Sequence, residues 1–124
     1  MIEMLHLEPD NGDFDRAAVE ARLAQFPHVF SDARKPNVYF LCGSAEVAAW
    51  ARDERAKSGE FPYVGLVDLA PRHITVRQLC NEAELAVVRQ FVQWLVDEYR
   101  CTIEDDDGND WTEACADSLD PLYL

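Results

Sequence analysis

Lysine is scarce in this sequence: 124 residues contain two, Lys35 and Lys57, beside nine arginines. Neither end of the chain has a base at all. Residues 1–15 carry five acids (Glu3, Glu8, Asp10, Asp13, Asp15) and residues 101–124 carry eight (Glu104, Asp105, Asp106, Asp107, Asp110, Glu113, Asp117, Asp120). Residues 16–100 carry eleven acids and eleven bases, so the net charge of −13 belongs to the two ends. Charge of that sign repels phosphate backbones and anionic bilayers and attracts basic proteins. Nucleic acid and membrane surfaces are therefore the least expected partners.

Other absences narrow the class further. No run approaches the roughly 18 apolar residues of a membrane helix. The start, MIEMLHLEPD, lacks the basic opening and long apolar stretch of a secretory signal, so the expected location is the cytoplasm. Cys42, Cys80, Cys101 and Cys115 form no CxxC pair and have no histidine at zinc-finger spacing. Four free thiols are the expectation for such a chain in a reducing compartment. Neither a GxGxxG nor a Walker loop occurs, and His6, His28 and His73 make no HxH or HExxH spacing. No cofactor and no metal is expected. The length suits one domain, residues 1–124.

What is present reads as strand–helix–strand–strand–helix–strand–strand–helix–strand. MIEMLHL is a first strand, followed by a turn at EPDNGD and a helix that Asp13 can cap. Val19, Leu23 and Phe26 form its apolar stripe, and Pro27 ends it. HVF is a short strand, SDARKPN a turn, and NVYFLC a continuous apolar strand expected in the sheet interior. Ser44 caps the next helix, AEVAAWARDERAKS, which Gly59 stops; Val47, Trp50 and Ala51 are its expected buried side. FPYVGLVDL and HITVRQL are two strands; in the second, Ile74 and Val76 face opposite to His73, Thr75 and Arg77. Asn81 with Glu84 resembles a capping box before the longest helix, whose stripe is Leu85, Val88, Val92, Leu95 and Tyr99. Cys101–Ile103 is the last strand. This order predicts an α+β domain, a mixed or antiparallel sheet with about three helices packed mainly on one face, leaving part of the other face open.

The densest chemistry lies in IEDDDGNDW, residues 103–111, with five acids between Glu104 and Asp110. An EF-hand loop with Gly108 at its sixth position would place Asp105 and Asp107 correctly. Its first and twelfth positions would then be Ile103 and Ala114, which supply no carboxylate, so that motif is excluded. A solvated turn around Asp107–Gly108 accounts for one or two of the acids, not for five. An aromatic residue rimmed by carboxylates suits capture of a basic protein, because aromatics anchor and charge steers. Asp105, Asp106, Asp107, Asp110 and Trp111 are accordingly the candidate partner-binding residues. The expected function is a small non-enzymatic binding protein that masks a basic protein partner, in the manner of an immunity protein or inhibitor.

Two alternatives stand beside it. One is a small enzyme or ligand-binding domain with a pocket near Cys42, His73 and Asp68. Cys42 ends a strand just before a helix, where thiols gain acidity, but the arginine of a phosphatase-type loop would fall at position 48, which is alanine. The other is a structural subunit whose sheet edge or apolar helix face forms a homodimer.

Overall fold

The computed structural model describes residues 2–123. Its strands are β1 (Met4–Pro9), β2 (Val29–Asp32), β3 (Lys35–Leu41), β4 (Gly65–Ala70), β5 (His73–Arg77) and β6 (Cys101–Asp105); its helices are α1 (Arg16–Ala24), α2 (Ala45–Ser58) and α3 (Glu82–Tyr99). Met1, with which the first strand was expected to begin, lies outside the described residues. The six strands form one sheet in the order β2-β3-β4-β5-β1-β6, and every neighbouring pair is antiparallel. The fold is α+β as the element order predicts, with an antiparallel sheet rather than a mixed one.

One face of the sheet carries the larger core. Leu5, Leu7, Val67, Leu69, Ile74, Val76 and Ile103 meet Val19 and Leu23 of α1 and Val88, Phe91, Val92 and Leu95 of α3. The opposite face has a smaller core confined to one end, where Phe30, Val38, Phe40 and Leu66 meet Ala48 and Ala51 of α2. The Val38–Leu41 half of β3 lies under helices on both sides, which is why VYFL is an unbroken apolar run, whereas its exposed start at Lys35–Asn37 extends the strand into the stretch expected as a turn. Two helices thus pack on one face and the third on the other.

Local chemistry explains most element ends, with three departures from expectation. Ser44 caps α2 by accepting from the Val47 amide at 3.2 Å, and Gly59 closes it in the left-handed region at φ 71°. At α1 the cap is Asp15, not Asp13, accepting from the Ala18 amide. Trp50 is 47% exposed, whereas Ala48, Ala51 and Arg55 are the buried residues of α2. The two alanines let the helix approach the sheet, and Arg55 folds inward to reach Asp32 on β2, with Nε 2.9 Å from Oδ2. Glu84 makes no capping box; it is buried and accepts the Gly43 amide at 2.7 Å, tying α3 to the β3–α2 junction.

Over β5, β1 and β6 the second face has no helix. Register places three rows there: Arg77 beside Met4; Asp68, Thr75, His6 and Glu104 in line; and Ala70 beside His73, with Glu8 beside Thr102. All are exposed or half-buried. The alternation of polar and apolar residues in β1 and β5 dictates this outcome, because each apolar partner is spent on the first core.

The order of strands also brings the chain ends together. β1 lies between β5 and β6, with Leu5 opposite Asp105 and Pro9 opposite Cys101. Beyond β6 the chain reverses and returns along its outer edge, bridging Glu104 to Asp110, and the Trp111 amide donates to the Ile103 carbonyl at 2.7 Å. Cys115, Leu119 and Leu122 then close the first core. The acid-rich N-terminal and C-terminal segments therefore run side by side along β1 and β6.

Candidate functional site

The acidic reversal is built around one carboxylate. Asp105 Oδ1 accepts from the amides of Asp107 at 2.9 Å and Asn109 at 3.0 Å. Its Oδ2 accepts from Asn109 Nδ2 and from the Trp111 indole, both at 3.0 Å. The hairpin closes through the Gly108 amide to the Asp105 carbonyl at 3.1 Å, with Gly108 at φ 80°, a conformation that suits glycine. Four donors hold the Asp105 carboxyl at about 2, below its ordinary 3.8, with the Trp111 and Asn109 side chains the largest causes. Asp105 is buried and Trp111 half-buried against the first core.

The five candidate residues therefore divide by task. Asp105 and Trp111 form the frame of the loop. The Thr112 side chain and then its amide, which donates to Asp110 Oδ1 at 2.8 Å, hold the Asp110 carboxyl below the usual range and fix the exit of the turn. Asp106 and Asp107 are exposed, as is Glu104 on the neighbouring strand. Asp106 reaches back over β1 to His6, with Oδ1 2.7 Å from Nε2. An open groove of about 460 Å³ runs between this loop, Glu3 and Met4 of the N-terminal segment, and Pro121 and Leu122.

On the open face the two strand histidines meet. His6 Nδ1 lies 3.1 Å from His73 Nε2, the rings set nearly perpendicular at 77°. His73 Nδ1 in turn lies 3.6 Å from Glu8 Oε1. A line of four polar side chains, Glu8, His73, His6 and Asp106, thus zigzags between β1 and β5 and on to the acidic loop. His73 was a candidate from sequence; His6 was not singled out, and no local spacing links the two. They meet because β1 pairs with β5 with Leu7 opposite Ile74, which sets His6 and His73 as diagonal neighbours on one face.

The other sequence candidates do not assemble into a pocket. Asp68 and His73 share the open face, but Cys42 follows Leu41, which pairs with Gly65 at the far end of β4 from Ala70 and His73. The length of that strand, about 17 Å, separates them. Cys42 is buried under α2, and burial with the nearby Glu84 pushes its thiol up to about 11, the opposite of what a nucleophile needs. Cys80 is pushed up to about 11 and Cys101 to about 12, each chiefly by burial. The exposed aromatic residues are Trp50, Phe61 and Tyr63. Among the described residues no group of three or more His, Cys, Asp and Glu side chains is arranged to hold a metal ion, and no helix is long and apolar enough to cross a membrane.

Comparison with known proteins adds no resemblance to this picture: no family model matches the chain, and no curated protein or solved structure matches it.

Proposed function

We propose that the protein is a non-enzymatic binding module that masks a basic protein partner, in the manner of an immunity protein or inhibitor. The observation that carries this reading is the pairing of β1 with β6, which fuses two acid-rich chain ends into one surface. On it Glu8, Glu104, Asp106 and Asp107 stand around an uncovered, polar half-sheet. Such a surface raises the encounter rate with a cationic partner, and the rate falls as salt screens it. Asp105 and Trp111 serve by holding the loop in shape, while Asp106, Asp107 and Glu104 make the contact.

The test is capture from a lysate of the protein's own source at low salt, run beside a variant with Glu104→Gln, Asp106→Asn and Asp107→Asn. The expected result is a stoichiometric basic protein that elutes early in a salt gradient and is lost from the variant. Equal capture by both proteins, or none by either, overturns the reading.

A further inference from the structure

We infer that His6 and His73 form a two-histidine chelate for a borderline transition-metal ion such as Zn²⁺, Ni²⁺ or Cu²⁺, with water or a partner's side chain completing the coordination. This rests on geometry independent of the function proposed above. Two imidazole nitrogens bound to one such ion at about 2.0–2.1 Å stand about 2.9–3.4 Å apart, for cis-octahedral to tetrahedral angles. His6 Nδ1 and His73 Nε2 are 3.1 Å apart. Without metal that spacing is a hydrogen bond between the rings; an ion replaces its hydrogen and sits off the line between the nitrogens, on the open side of the sheet.

The outer nitrogens supply the second observation. Metal-bound imidazoles characteristically give their other N–H to a carboxylate, which fixes the tautomer and raises the basicity of the ligating nitrogen. Here His6 does so, with Nε2 2.7 Å from Asp106 Oδ1, while Glu8 Oε1 stands 3.6 Å from His73 Nδ1, within ion-pair range but beyond a hydrogen bond. The inner nitrogen of His6 is thereby left with its lone pair, and the inner nitrogen of His73 gives up its hydrogen when the ion binds. The side chains of His6 and His73 are 28% and 43% exposed, so the remaining coordination positions are open. Nitrogen donors favour Cu²⁺, Ni²⁺ and Zn²⁺, whereas carboxylates alone favour Ca²⁺ and Mg²⁺, so ion preference separates this pair from the acidic loop beside it.

The experiment is calorimetric titration of the full chain with Zn²⁺ and Ni²⁺ chloride in a non-chelating buffer holding excess Mg²⁺, with imidazole ¹H–¹⁵N spectra followed alongside. One ion per chain is expected at micromolar dissociation constant, with the His6 and His73 ring signals perturbed first. His6→Gln and His73→Gln, which alter the open face only, should each weaken binding at least tenfold. Asp106→Asn should weaken it about tenfold by loosening the His6 ring. Binding unchanged in both histidine variants, displacement by Mg²⁺, or no uptake overturns the assignment.

Discussion

At the scale of single residues, Asp105 shows how an acidic cluster can be structural at its centre and free at its rim. Its carboxylate takes four hydrogen bonds, two from backbone amides and two from the side chains of Asn109 and Trp111. Asp105→Asn keeps the shape but replaces one accepting oxygen with a donor; an amide in place of Oδ2 leaves both the Trp111 indole and the Asn109 side chain without their acceptor. The variant should melt several degrees below the parent at pH 7 and shift the Trp111 indole resonance. Because the folded carboxyl titrates at about 2 and an unfolded one at about 3.8, its stabilisation is complete above the upper value and lost as pH falls through the lower. The difference in melting temperature should therefore persist at pH 5 and shrink between about pH 4 and about pH 2. A gap independent of pH would mean that the carboxylate charge has no part in holding the loop. The sequence drew attention to this stretch but could not separate frame from rim, since Asp105, Asp106 and Asp107 differ only in which way a strand and its reversal turn them.

Elements were legible where a local rule decides them and obscure where a distant contact does. The bounds of α2 follow from Ser44 and Gly59, and the buried alternation of β5 from Ile74 and Val76. The sequence does not show the buried side of α2, because the contacts that set it, Ala48 and Ala51 against the sheet and Arg55 on Asp32 23 residues earlier, depend on how the β2–β3 hairpin folds back. The meeting of His6 with His73 depends likewise on strand order. A close approach between elements gives a direct test of the packing. A Cβ on Gly65 of β4 would collide with a Val88 methyl on α3 and lie 3.2 Å from the Leu41 Cβ. Backbone conformation at Gly65 is ordinary, so space alone decides. Gly65→Ala should cost about 1–3 kcal/mol in urea unfolding, as overpacking does. Val88→Ala opens room at the same point, so the double variant should lose clearly less than the two single losses combined. Strict additivity would show that α3 does not rest on β4 at this glycine.

For the whole molecule, the question is whether the acidity is needed by the fold or tolerated by it. Both chain ends could have been acidic on opposite sides of the domain, at little mutual cost. Instead β1 and β6 are adjacent, and Glu8, Glu104, Asp106 and Asp107 share one surface with no lysine or arginine in either segment. Repulsion among exposed charges at such distances is modest in water but always opposes folding, and salt screens it over about 10 Å at 0.1 M. The parent protein should therefore gain melting temperature as sodium chloride rises from roughly 10 to 300 mM, a range over which the Debye length shrinks from tens of ångströms to a few. Glu104→Gln with Asp107→Asn, which leaves the Asp105 frame and the Asp106–His6 contact intact, should be the more stable protein at low salt and lose that advantage at high salt. That result would identify acids that the fold carries against its own stability, as surfaces kept for binding do. If instead the neutralised variant is no more stable at low salt, the cluster costs the fold nothing, and charge retention ceases to argue for a basic partner.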